Sequence, residues 1–514
     1  MWRGVGVVAS SIYEPEQVAK FLYRATFGPK PGDVDDFLQL GVEAWLDDQF
    51  TRNWRLHRPL AERYANASGD TLNENARLSA WWNRSLNAGD QLRQRVAYAL
   101  SQIFVVSNSG GPNSEGLAEY YDVLLKHAFG NFRDLLEAVT LSPAMGKFLT
   151  LEGSRKADPE KNTFPDENYA REVMQLFSLG LWQLQNNGMP RLDDEGNKEP
   201  TYTQKDVEEM ARVLTGWRRD TYLKPMYADD NRHDFSEKRV LGQVFPEGQS
   251  PEQDLAQAID LLFNHRNTPM FISILLIKRL TISNPRRSYI QRVADVFKDN
   301  GQGVRGDMVA VIKAILLDQD VIDGKAMADH QSHGSNSRNF GKVKEPIVAM
   351  ANLCRAFNVK SNDPDRWWDF PATQNNFGQA PLRAPSVFNF YEPEYAPKGE
   401  ITDKQLTAPE FAILSMDSMR RISNRMWTMI LAHDSTNIKH WYWNRSQFEK
   451  KVNKPDEYIA LLNERFFAGL MSAELADFIR QMLEELTADN RNDDRKINDT
   501  LFAVQCSPEF RCQE

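Results

Sequence analysis

The segment from Pro165 to Trp182, PDENYAREVMQLFSLGLW, decides how the rest of the chain is read. At about 100° per residue, Asn168, Arg171, Glu172, Gln175 and Ser178 fall within one arc of roughly 120°. Tyr169, Ala170, Val173, Met174, Leu176, Phe177 and Leu181 fill the rest of the circumference, and Leu179 and Trp182 close the arc at the C-terminal end. A helix this apolar is buried on most sides, so its polar stripe is expected to face protein or a cleft rather than open water. The period predicts a helix over 165–182.

The same pattern recurs in both directions. Asn131 with Asp134, Thr203 with Asp206, and Ser250 with Pro251 and Gln253 each place a capping side chain before an amphipathic run. Further helical runs are predicted at 15–26, 91–107, 287–299, 307–317, 345–357, 409–432, 455–467 and 472–487. Alternation of period two is scarce. The expected fold is therefore mainly α, a large multi-helix globular assembly with long irregular loops and little β structure. Four stretches lack helical periodicity, 153–164, 185–201, 218–249 and 358–404, and loops of such length often carry function. The Pro- and Asn-containing stretch after Phe357 suggests a main helical domain over 1–357. An aromatic-rich loop region with C-terminal helices, 358–514, is expected to pack on it.

Composition narrows the class. The chain has 514 residues, 41% of them hydrophobic and 26% charged, as in ordinary globular proteins. Its 62 basic and 71 acidic residues give a net charge of -9, against a general nucleic-acid binder, which needs a basic excess. The longest apolar run, near 271–277, is far short of the roughly 20 residues that span a bilayer, so no transmembrane segment is expected. The opening residues MWRGVGVVASSIYEPEQ lack the apolar region of a secretory leader. Two settings fit that start, the cytoplasm or export with a leader already removed. Cys354, Cys506 and Cys512 form no disulfide framework or zinc pattern, although Cys506 and Cys512 are able to pair in an oxidising compartment.

Four regions offer chemistry. The first joins the loop LEGSRKADPEKNTF to the signature helix, setting Arg155 and Lys156 before Asp158, Asp166, Glu167, Asn168, Arg171 and Glu172. Cations beside a helix start suit a carboxylate, sulfate or phosphate. Glu167 and Glu172 suit acid/base work if burial separates their pKa values. Equally, the acidic residues suit the helix dipole and Arg171 suits an i, i+4 pair with Glu167. The second, HDFSEKRVLG, places His233, Asp234 and Lys238 within one loop. An imidazole, a carboxylate and a cation there make a candidate base with its orienting group, but adjacent residues of an extended segment point opposite ways. In the third, His330 and His333 stand three apart, yet Gly334, Ser335 and Asn336 favour a loop and no metal site is expected. The fourth, Phe357 to Pro397, contains nine aromatic residues and six prolines. Trp367 and Trp368 are candidate stacking residues, with Asn375, Asn376, Gln379 and Arg383 as polar partners, set against simple packing of a long coil onto the core. With no GxGxxG, Walker A or G-x-S-x-G pattern, neither a nucleotide cofactor nor serine hydrolysis is indicated, and no cofactor is expected.

Taken in order, the landmarks FLYRATFGPKPGDV, RQRVAYALSQIFVVS, YYDVLLKHAFGNFRDLLEAVTLSPAMGKFL, RKADPEKNTFPDENYAREVMQLFSLGLWQL, PTYTQKDVEEMARVLTGW, HDFSEKRVLG, NGQGVRGDMVAVIKAILLD, GKVKEPIV, APLRAPSVFNFYEPEYAP and SPEF resemble the bacterial DUF1800 proteins, a domain of unknown function. They run from about Gln17 to Phe510. The resemblance implies export, hence a periplasmic or extracellular location, and a protein partner resembling sulfatases and alkaline phosphatases. It brings no settled reaction, cofactor or catalytic residue. Ser236-Glu237-Lys238 departs from the Gly-containing version expected between the HD and LG pairs.

Together these readings anticipate a protein that binds or processes a cell-surface glycan or other polyanionic material. Glu172, Glu167 and His233 are its candidate catalytic residues. Lys156, Arg171, Asn168, Gln175, Asp234, Lys238, Trp367, Trp368 and Arg383 are its candidate ligand contacts. The competing expectation is a non-enzymatic scaffold whose buried polar stripe fixes helix register.

Overall fold

The computed structural model describes residues 14–329, 334–361, 377–432 and 441–513. Helices dominate them, and the β structure consists of three two-stranded antiparallel sheets and isolated bridges. Many helix starts follow the caps. Thr203 and Ser250 form complete capping boxes with Asp206 and Gln253, opening helices Gln204–Val213 and Pro251–Asn264. The Asn131 side chain caps Phe132–Thr140 by accepting from Arg133 N–H.

Most of the helices pack around one large apolar core that runs from Val18 to Phe510, with two small satellite clusters beside it among the described residues. Packing is continuous across the boundary drawn after Phe357, whose ring stacks on Trp443 with centroids 4.2 Å apart. At the far end, strand Cys512–Gln513 pairs with Lys342–Val343, and Gln513 Nε2 donates to the carbonyls of Leu280 and Thr281 at 2.9 and 3.2 Å.

The signature helix is shorter than its apolar period suggested, spanning Asn168–Gln175. Its ladder loosens as Leu176 and Phe177 N–H both donate to Glu172 O, and Leu179 and Gly180 N–H both reach Met174 O. Gly180 has φ +77°, and a Cβ there would meet the Phe271 ring at 2.7 Å, so the reversal demands glycine. Leu181 and Trp182 therefore lie beyond the helix and are exposed, whereas Tyr169, Ala170, Val173, Met174 and Phe177 are buried as the period requires.

This helix packs on Gln204–Val213, which in turn contacts strand Lys238–Val240 and helix Pro251–Asn264. Lys238–Val240 forms a hairpin with Gln243–Phe245. Leu241 and Gly242, at φ +50° and +80°, make its two-residue turn. The second candidate loop thus packs on Gln204–Val213, the same helix that supports the signature helix of the first.

Candidate functional site

The start of the signature helix is held by short polar side chains. Asp166 N–H donates to Ser154 Oγ at 3.1 Å, and Asp166 Oδ1 accepts from Thr150 Oγ1 and Asn168 N–H at 2.8 and 2.9 Å. One turn on, Arg171 NH2 donates to both Glu167 Oε2 and Gln204 Oε1 at 3.0 Å, and Gln204 Nε2 returns to Glu167 Oε2 at 2.9 Å. The i, i+4 pair is real but partly exposed, and Gln204 closes it into a ring. Gln175 accepts from Tyr202 O–H at 3.0 Å, so much of the stripe faces the segment that leads into Gln204–Val213.

Glu172 behaves differently. Its residue is 6% exposed and its Oε2 has no hydrogen-bond partner among the described residues. Burial raises its carboxyl above the ordinary range, and the neighbouring Arg171 charge opposes that only in part. Arg171 thus satisfies Glu167 rather than Glu172.

The cations before the helix lie on a cleft of about 500 Å³ between 155–160 and 231–232. Lys156 N–H donates to Arg232 O at 2.7 Å, which joins the two loops singled out in the sequence. Arg232 and Arg218 share Asp229 at 3.3 Å each, and Asp158 pairs with Lys161 at 2.6 Å. Neither Arg155 nor Lys156 has a carboxylate within ion-pair distance among the described residues. Of Lys156, Arg171, Glu172 and His233, only Lys156 lines this cleft.

His233 and Asp234 diverge, as extended backbone requires. The His233 ring is fully buried; its Nδ1–H donates to Thr215 O at 2.9 Å and its Nε2 lies 3.2 Å from Asp254 Oδ2. Lys238, also fully buried, sets its ammonium 2.5 Å from the same oxygen. Asp234 instead turns outward to Arg212 at 2.8 Å. The imidazole's carboxylate is therefore Asp254, a residue not singled out from the sequence. The signal was present, because Asp254 precedes Ala258 by four residues and Leu262 by eight, on the buried stripe of its helix.

A second polar cluster was also missed. Glu345 Oε2 accepts from Tyr98 O–H at 2.7 Å, from Gln102 Nε2 at 2.5 Å and from Gln379 Nε2. Burial alone would raise this carboxyl, but Lys342, Arg279 and those donors outweigh it and hold it below the ordinary carboxylate range. Lys342 also pairs with Glu410 at 3.0 Å. The cluster ties RQRVAYALSQ, GKVKEPIV and the residues after Phe377 together in the core.

Arg383 lies 3.2 Å from Glu74. Trp367, Trp368, Asn375, Asn376, His330 and His333 fall outside the described residues. Among the described residues, no three or more His, Cys, Asp or Glu side chains are placed to share a metal ion, and no helix is long and apolar enough to cross a membrane. Cys354, Cys506 and Cys512 form no disulfide among the described residues.

No curated protein and no solved structure matches the chain. The family model described as "Protein of unknown function (DUF1800)" matches residues 20–512. With all but the two ends of the chain covered, this protein belongs to the DUF1800 family.

Proposed function

We propose that this protein binds an anionic ligand of the cell surface, such as a sulfated or phosphorylated glycan, through the cleft between 155–160 and 231–232. One observation carries the reading. Arg155 and Lys156 line that cleft, beside Asp158 and Glu160, without a carboxylate in ion-pair distance among the described residues, whereas the neighbouring Lys161, Arg218 and Arg232 are all paired. Two free cations side by side recognise spaced negative charges, and a cleft of about 500 Å³ has the volume of a small-ligand site. In the setting that the family resemblance implies, the ligand is met outside the cytoplasm, alongside a sulfatase-like partner.

The reading is one of binding rather than processing, because Glu172, the candidate acid/base group with a buried and raised carboxyl, does not line the cleft. Glu167 is engaged by Arg171 and Gln204, and His233 has no path to solvent. The scaffold reading draws support from the Arg171–Glu167–Gln204 ring and the buried Lys238–Asp254 pair, which are closed within the protein.

Isothermal titration with a sulfated oligosaccharide and its desulfated counterpart tests the proposal. At about 1 kcal/mol per cation in water, Arg155→Ala with Lys156→Ala together weaken binding of the sulfated form roughly thirtyfold, and salt weakens it further. Equal binding by wild type and the double variant, or none by wild type, would favour the scaffold.

A further inference from the structure

The segment GKVKEP sends two lysines into the interior, and only one of them is answered there. Lys342 donates to Lys278 O at 2.9 Å and pairs with Glu410 at 3.0 Å. Lys344 is 5% exposed, yet its ammonium has neither a carboxylate nor a hydrogen-bond acceptor among the described residues. Glu345, next in sequence, is committed to Tyr98, Gln102 and Gln379. Lys344 Nζ lies instead over two rings, 4.5 Å from the centroid of Tyr23 and 5.0 Å from that of Phe510. Ring faces attract a cation but do not replace the acceptors that its three N–H groups lose with water. A buried charge left in that condition is costly.

The position of this amine is well fixed. Lys344 N–H donates to Arg511 O at 2.7 Å, continuing the pairing of Lys342–Val343 with Cys512–Gln513. Tyr23 O–H donates to Phe466 O at 3.2 Å, which holds the first ring. What remains exposed of Lys344 opens onto a cavity of about 250 Å³. Phe466, Phe467 and Leu470 give that cavity an apolar wall, and Lys20 adds a second cation. Glu509, the one carboxylate on the lining among the described residues, accepts from Ser472 N–H at 2.9 Å and from Ser472 Oγ, at the start of helix Ala473–Ala488. Burial lowers the Lys344 pKa to about 7; the nearby Cys512 sulfur opposes this and Arg511 adds to it. A bound anion would restore the full charge.

We propose that this cavity binds a small monocarboxylic acid, its carboxylate on the Lys344 ammonium and its apolar body against Phe466, Phe467 and Leu470. The buried ammonium matches one negative charge, and Glu509 disfavours a second. This site shares no residue with the cleft at 155–160 and does not depend on it.

Isothermal titration of the unaltered protein with benzoate and hexanoate, and with benzyl alcohol and hexanol as their uncharged counterparts, tests the proposal. The expected result is saturable binding of at least one acid. Its alcohol, and the acid with Lys344→Met, should bind about ten- to a hundredfold more weakly, the range of one hydrogen bond to a charged group. Leu470→Trp, which fills the cavity without altering the amine, should abolish binding, and circular dichroism checks that each variant is folded. Arg155→Ala with Lys156→Ala should leave it unchanged. Binding of neither acid overturns the proposal. So does an alcohol that binds as tightly as its acid, or acid binding that survives Lys344→Met or Leu470→Trp or is lost with Arg155 and Lys156.

Discussion

Replacing Asp254 with alanine should be among the most damaging single changes in the signature region, although it touches no cleft described above. Lys238 Nζ lies 2.5 Å from the Asp254 carboxylate, His233 Nε2 lies 3.2 Å from it, and all three side chains are fully buried. At an effective dielectric constant of about 20, one ion pair at that separation is worth roughly 6 to 7 kcal/mol before desolvation is charged against it. Much of that attraction only offsets desolvation, so the net cost of removing one partner is about 3 to 5 kcal/mol, most of it the stranded Lys238 ammonium. Glu167→Ala provides the contrast. It breaks an ion pair whose side chains are 38% and 39% exposed, and should cost only about 0.3 to 0.5 kcal/mol. Equilibrium urea unfolding followed by tryptophan fluorescence would resolve a difference of this size. The combined variant Lys238→Met, Asp254→Leu should recover most of the loss, since it removes both charges together. The reasoning fails if Asp254→Ala lies within about 1 kcal/mol of wild type, or if the combined variant is no better than Asp254→Ala alone.

Glu172→Gln should stabilise the protein at neutral pH. A carboxyl whose folded pKa is raised contributes stability that is intact below its unfolded value of 4.5 and is lost as pH rises through the folded one. Urea midpoints of wild type and variant should therefore coincide near pH 4 and separate in the variant's favour toward pH 7. Thr203→Ala removes a capping box at a partly exposed helix start and should cost about 1 kcal/mol by the same unfolding assay, without altering anion binding.

Much of the fold was legible because it rests on local rules. The runs read at 15–26, 287–299, 307–317 and 345–357 correspond to helices Pro15–Ala25, Arg287–Lys298, Met308–Leu316 and Pro346–Ala356. Where a capping residue and an amphipathic period coincide, the boundary follows. Other ends were set by tertiary packing. The run at 91–107 stops as a helix at Ser101. The run at 409–432 divides where Ser415 caps a new helix, leaving a 3-10 segment before it. At the signature helix, the closeness of Phe271 to Gly180 decides the reversal, and no local pattern contains that contact. The candidate site divides likewise. The Arg171–Glu167 pair follows from spacing alone. The partners of His233 and Glu345 come from distant segments, with Tyr98 and Glu345 separated by 247 positions, so composition and period are silent about them.

The pairing of Cys512–Gln513 with Lys342–Val343 bears on the order in which the chain can mature. Gln513 Nε2 supplies the hydrogen bonds that close the carbonyls of Leu280 and Thr281 at the end of a core helix. That end of the core stays open until residue 513 has been synthesised and has returned across more than two hundred positions. A chain growing from its N-terminus must therefore carry Leu280, Thr281 and the edge of Lys342–Val343 uncapped throughout synthesis of the remainder. Closing the core is a late event, and a chain released before that strand emerges would present to quality control a body nearly complete in helices but unsealed.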